Sequence, residues 1–202
     1  MSCATSVADT MVMPFSHFFV KKRKTLLMGN AANGKWVAND IIATTVSKTT
    51  PELHNRVVIV MQYRPAVNAY TLEFPAGCID PHETDAMASA LRELKEETGL
   101  TAQPSSVSSA YMFTYEPGIT SSCGMAVTCT IDMDDPVTAM PTPHLEDGEW
   151  SLCTYLLPLD GLAARLQAFV AAHEHVMLDS RLGAFALGLQ YASSLHLPAA
   201  AK

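Results

Sequence analysis

Between Leu72 and Leu100 the chain passes through a β-like segment, a glycine, a polar loop and a helical segment that ends at a second glycine. Ala86, Met87, Ala90, Leu91 and Leu94 recur at helical spacing, so the helix is amphipathic and packs one face. Glu93, Glu96 and Glu97 lie on it. Glu93 and Glu97 are separated by one turn and project from the same side, where like charges repel. A helix that keeps such a pair requires a compensating cation, and an all-oxygen site with room for water suits Mg2+ or Mn2+. The competing reading is a solvated acidic face. Gly77 is expected to start a turn where bare backbone approaches a ligand, and Gly99 to cap the helix C-terminus.

The rest of the chain supplies enough apolar residues to bury such a helix. Of 202 residues, 49% are hydrophobic and 16% charged, which is the balance of a globular chain with one proper core. The net charge is −7 with no basic stripe, which argues against nucleic acid and anionic membranes as partners. Bound metal would invert the local field, so the acidity does not exclude a phosphate substrate. Five cysteines, at 3, 78, 123, 129 and 153, form neither a CxxC pair nor a zinc spacing. They fit reduced thiols in a cytoplasmic protein. No apolar run is long enough to span a membrane. Residues 1–20 lack a basic region ahead of an apolar run, which disfavours a secretory or mitochondrial leader.

Residues 1–20 read as a tail and residues 21–202 as one domain. Strands are expected at Thr25–Met28 and Trp36–Val46 around an Asn33-Gly34 hairpin turn. Val57–Met61 is wholly apolar and reads as a buried strand. Further strands are expected at Tyr70–Phe74, Val107–Tyr115, Cys123–Ile131 and, last, Trp150–Leu156. Residues 134–149 hold prolines and acids and read as a mobile loop. Helices are expected over Leu159–His173 and Asp179–Leu195, the second with Asp179 as N-cap. His173 and His175 are two apart and do not face together on a helix, which makes them surface residues and not ligands. The sum is an α/β domain with a mixed sheet and three helices.

The central stretch resembles the Nudix box, Gx5Ex7REUxEExGU, where U is aliphatic. Gly77, Glu83, Arg92, Glu93, Leu94, Glu96, Glu97, Gly99 and Leu100 take its fixed positions in order across residues 77–100. One departure stands out: eight residues, not seven, separate Glu83 from Arg92. Gln62-Tyr63-Arg64-Pro65 leading into Glu73-Phe74-Pro75-Ala76-Gly77 is similar to the ADP-sugar (ADP-ribose) pyrophosphatase branch. So is the Glu116-Pro117-Gly118 loop, and so is Asp147-Gly148-Glu149-Trp150 with the helices after it. The resemblance covers roughly residues 55–195 and implies the Nudix α/β/α sandwich, commonly a homodimer. It implies Mg2+-dependent hydrolysis of ADP-ribose to AMP and ribose 5-phosphate. Alternatives are another nucleoside-diphosphate-linked substrate (a GDP-sugar, FAD, NADH or an oxidised nucleotide) or a catalytically silent nucleotide-binding module.

Within that resemblance two or more metal ions would neutralise the diphosphate and activate water. Glu93 and Glu97 are the leading ligands, with the Ala76 carbonyl beside them. Glu96 is either a further ligand or a group that supports the ligands. Arg92 cannot lose its proton and would orient those carboxylates. The general base would come from the loop before the last strand: Glu149 is the best match, with Glu146 and Asp147 as rivals. Arg64 would fork onto a phosphate or pair with Glu73. Glu73 would hold a ribose or a structural arginine. Trp36 would stack on adenine or belong to the core. Gly118 lies in the loop assigned to the substrate.

Overall fold

The apolar run near residue 57 becomes the spine of the sheet. A computed structural model describes residues 37–79, 83, 85–115, 118, 123–138 and 141–195. In it the run extends into β2 (Arg56–Arg64), with Val57, Val58, Ile59 and Val60 all at 0% exposure. A strand covered on both faces reads as continuous and not alternating hydrophobicity. Before it comes β1 (Val37–Val46), and after it β3 (Ala69–Glu73) and the short β4 (Ala76–Cys78). Helix α1 (Ala86–Thr98) follows, then β5 (Ser109–Thr114), β6 (Cys123–Asp132) and β7 (Cys153–Pro158). The chain then forms α2 (Leu162–Ala172), β8 (Val176–Leu178) and α3 (Ser180–Ser194).

These strands make one mixed sheet in the order β5-β6-β1-β2-β3-β8, with β4 paired to β1 and β7 to β2. β1 runs parallel to β6 along ten residue pairs, and β3 parallel to β8, while the other pairings are antiparallel. Period-two alternation assigns the faces. Ile41, Ala43, Val58, Val127, Cys129 and Ile131 pack with Ala90 and Leu94 of α1. Val57, Ile59, Leu72 and Leu157 pack on the other face with Leu162 and Leu166 of α2 and Leu182 and Ala186 of α3. The result is the expected three-layer α/β/α sandwich.

Two corrections concern boundaries. The strand expected at Trp150–Leu156 begins at Cys153, because residues 146–152 turn twice, through Glu149 N–H to Glu146 O (2.9 Å) and Leu152 N–H to Glu149 O (2.8 Å). It is also not the last strand. β8 follows, held by main-chain pairing to β3, and three residues are too few for alternation to show in the sequence. The second helix starts at Leu162 and not Leu159, because Gly161 takes a left-handed φ of 65° and Leu159 still hydrogen-bonds as strand exit to Asn55 O. Thr25–Met28, the Asn33-Gly34 turn and Trp36 lie outside the described residues.

Candidate active site

Helix α1 is fixed at both ends by its own sequence. Asp85 caps the N-terminus, its carboxylate accepting from the backbone N–H groups of Met87 (2.9 Å) and Ala88 (3.4 Å). Gly99 closes the C-terminus in the left-handed conformation, φ 72°. A side chain there would also run into the backbone of Pro141 and Thr142. His144 N–H donates to Glu96 O at 2.7 Å. The acidic loop expected to be mobile is therefore moored to the last turns of α1, and this carries Glu149 to the glutamate helix.

Gly77 is the principal correction within the site. It begins no turn; it lies inside β4, opposite Asn39 of β1. Its missing side chain serves a different contact, because a Cβ at Gly77 would strike the Glu93 carboxyl group. The strand thus makes a hollow that receives Glu93. One residue earlier, Ala76 N–H donates to Glu97 Oε2 at 3.0 Å. Glu97 is 1% exposed, which excludes the solvated-face reading for this side of the helix.

The electrostatics follow from that burial. Desolvation pushes the Glu97 carboxyl up to about 9, opposed by the Ala76 hydrogen bond and reinforced by the charges of Glu149 and Glu93. Desolvation likewise raises Glu93 to about 7 despite Arg92, with Glu96 and Glu149 adding repulsion. Of the three candidate bases, Glu149 is the one whose charge is felt by both glutamates; Glu146 and Asp147 are exposed.

Arg92 organises the outer side of the helix. Its guanidinium donates to Glu83 (Nε to Oε1 2.9 Å, Nη2 to Oε2 3.1 Å) and to Glu96 (Nη1 to Oε2 2.6 Å). It also lies 2.9 Å from Glu93 Oε1. The additional residue between Glu83 and Arg92 therefore leaves their fork intact. These bonds, that to Glu83 first, hold Arg92 firmly in its charged form. Glu96 is bound to this arginine, as Glu93 is, and is less buried than Glu93.

Arg64 makes the pairing given above as its alternative role, a fork onto Glu73 (Nε to Oε1 2.7 Å, Nη2 to Oε2 2.5 Å). Thr71 Oγ1 donates to the same carboxylate. Arg64 also feels the charge of Glu97. Gly118 is exposed with open space around it.

A second constellation was missed in the sequence. Arg181, in the first turn of α3, donates to Asp40 Oδ1 (2.6 Å) and forks onto Asp179 (2.9 Å to each oxygen). Tyr115 O–H donates to Asp40 Oδ2 at 2.8 Å, and the Arg181 guanidinium lies 4.9 Å from the Tyr115 ring centroid. This cluster fixes Tyr115, the residue from which the Glu116-Pro117-Gly118 loop departs. The N-cap signal at Asp179 was the only trace of it in the sequence, since the partners come from distant parts of the chain.

Two carboxylates one turn apart, in a hollow cleared by a glycine, suit a hard divalent cation that takes few protein oxygens and completes its shell with water. Among the described residues no three His, Cys, Asp or Glu side chains converge into a closed cage.

Comparison with known proteins agrees with this geometry. Residues 43–172 match the NUDIX domain model. The chain is 38% identical over 141 residues to an ADP-sugar pyrophosphatase of Mus musculus, covering 70% of this chain and 62% of that protein. It is 37% identical over 109 residues to an ADP-ribose pyrophosphatase of Saccharomyces cerevisiae, covering 54% of this chain and 46% of that one. It thus spans less than two thirds of either relative. A crystal structure of an ADP compounds hydrolase shares the fold, with a TM-score of 0.53 at 19% identity over 79% of this chain and 75% of that one. The match over most of the sheet and α1, together with the box residues gathered around Gly77, places this chain in the Nudix family.

Proposed function

We propose that this chain hydrolyses the diphosphate bridge of ADP-ribose or a related ADP-sugar, giving AMP and a sugar phosphate, with Mg2+ or Mn2+ as the required cation. The observation that carries the chemistry is half-buried Glu93 and buried Glu97 held against the backbone of Ala76 and Gly77. The names of the relatives support the substrate class. Two or more bound cations would neutralise the bridging phosphates and lower the pKa of a water molecule.

The chain's own residues have distinct tasks. Glu93, Glu97 and the Ala76 carbonyl would hold the cation, with Glu97 giving up the proton that burial favours. Arg92 holds Glu93 and Glu96 in place through its fork to Glu83. Glu149 orients the attacking water and accepts its proton, because it is near both ligands and is less buried than Glu97. Arg64, preset by Glu73, binds a phosphate oxygen. Gly118 leaves room for the sugar. A homodimer is proposed, supported by Tyr111, Met112 and Phe113, which expose 62%, 68% and 52% of their surface along the edge strand β5. A cytoplasmic setting is proposed from the cysteine spacing, which forms no CxxC pair and suits reduced thiols.

The test is chromatography of ADP-ribose incubated with protein and Mg2+, beside a panel of GDP-sugar, FAD, NADH and oxidised nucleotide. The expected result is AMP and ribose 5-phosphate, formed fastest from ADP-ribose and lost in E97Q. Binding without product in excess Mg2+ would make the chain a nucleotide sensor.

A further inference from the structure

Asn39 is fully buried, at 0% exposure, and neither its Oδ1 nor its Nδ2 has a hydrogen-bond partner. A carboxamide carries two donor hydrogens and one acceptor oxygen, and burying them unmet is costly enough to require a reason. Its neighbours on the same strand face show what the fold alone would choose: Ile41 and Ala43, two and four residues on, are apolar members of the α1 layer. A branched apolar side chain at position 39 would have served that layer better.

The strand register shows what lies beside it. Asn39 is directly opposite Gly77 on the antiparallel strand β4, and opposite Met125 on the parallel strand β6. Directly opposed residues share a face of the sheet. Met125 packs against the α1 layer, and the space above Gly77 is occupied by the Glu93 carboxyl group. The unmatched carboxamide therefore forms part of the floor beneath Glu93.

We propose that Asn39 is a positioning residue of this centre, whose Nδ2 donates to the Glu93 carboxylate once that carboxylate engages a divalent cation. This rests on the reading of Glu93 as a cation ligand. A ligating carboxylate uses one oxygen for the ion and needs a donor for the other, and outer partners of this kind govern ligand orientation and affinity. A buried amide without a partner is a stability cost of the kind folds accept at functional sites.

The test compares the wild-type chain with N39L, which keeps the branched skeleton and removes the polar atoms, and N39A. Mn2+ affinity is measured by calorimetry and metal-free melting by circular dichroism. N39L is expected to melt at or above the wild-type temperature while binding Mn2+ about tenfold more weakly, and N39A to show the same loss of affinity. Wild-type affinity in either folded variant would overturn the proposal. So would an affinity loss in N39L that appears only with a matching fall in metal-free melting temperature. Absence of Mn2+ binding in the wild type would instead remove the reading of Glu93 itself, which keeps the two failures distinct.

Discussion

Gly77 and Glu93 share a single space: the hydrogen of one residue makes room for the carboxyl group of the other. Gly77→Ala should therefore move Glu93 while leaving the sheet intact, since the far end of a flexible side chain yields more easily than backbone. The expected outcome is Mn2+ affinity and turnover reduced about 10–100-fold, as for other losses of ligand orientation, with a melting temperature within a few degrees of wild type. Glu97→Gln isolates charge from shape. A glutamine oxygen can still accept from Ala76 N–H, and the metal-free wild-type carboxyl is already neutral at pH 7 because burial holds it near 9. Melting should be nearly unchanged, while hydrolysis falls at least about a hundredfold, the scale of a lost transition-state contact. The Glu93/Glu97 pair was legible in the sequence because helical spacing is local. The reason for Gly77 was not legible, because the atom it avoids belongs to a residue sixteen positions away. Arg64 and Glu73 left two roles open for the same reason: the sequence supplies both partners but not the rotamers that make the fork.

At the scale of elements, α1 and the acidic loop form one unit through Gly99. Gly99→Ala would place a side chain at φ 72° and against residues 141–142. A loss of about 1 kcal/mol or more in chemical denaturation is expected, with turnover reduced further because the loop carrying Glu149 is displaced. A second clamp lies at the far end of β1. Asp134 accepts from Thr49 Oγ1 (2.5 Å), Ser47 Oγ (2.7 Å) and Lys48 N–H (2.6 Å), which together hold its carboxyl down to about 2. A depressed carboxyl stabilises the fold above its unfolded value of 3.8 and loses that contribution as pH falls toward 2. The stability gap between wild type and Asp134→Asn should thus be present at pH 5 and close between pH 4 and 2, measured by urea denaturation at each pH. Element types were readable from periodicity and caps: Asp179 caps α3 as the sequence indicates, accepting from Arg181 N–H and Leu182 N–H. β8 was not readable, since main-chain pairing to β3 carries no side-chain pattern.

The whole molecule divides its labour across the sheet, with chemistry on the α1 side and a largely apolar layer of α2 and α3 on the other. Leu166→Ala, at 0% exposure in that second layer, should cost about 2–5 kcal/mol in chemical denaturation. Mn2+ affinity of the protein that remains folded should not change, because the lost contacts lie across the sheet from Glu93 and Glu97. The three-layer plan was legible because β2 is apolar without alternation while β6 alternates. The Asp40–Tyr115–Arg181 cluster was not, because it joins three segments that only the topology brings together. That topology also has a consequence for biosynthesis. β1 finds its ten-residue parallel partner in β6, more than eighty residues downstream. At elongation rates of roughly 5–20 residues per second, one long edge of β1 waits about 4–17 seconds for its neighbour to be synthesised.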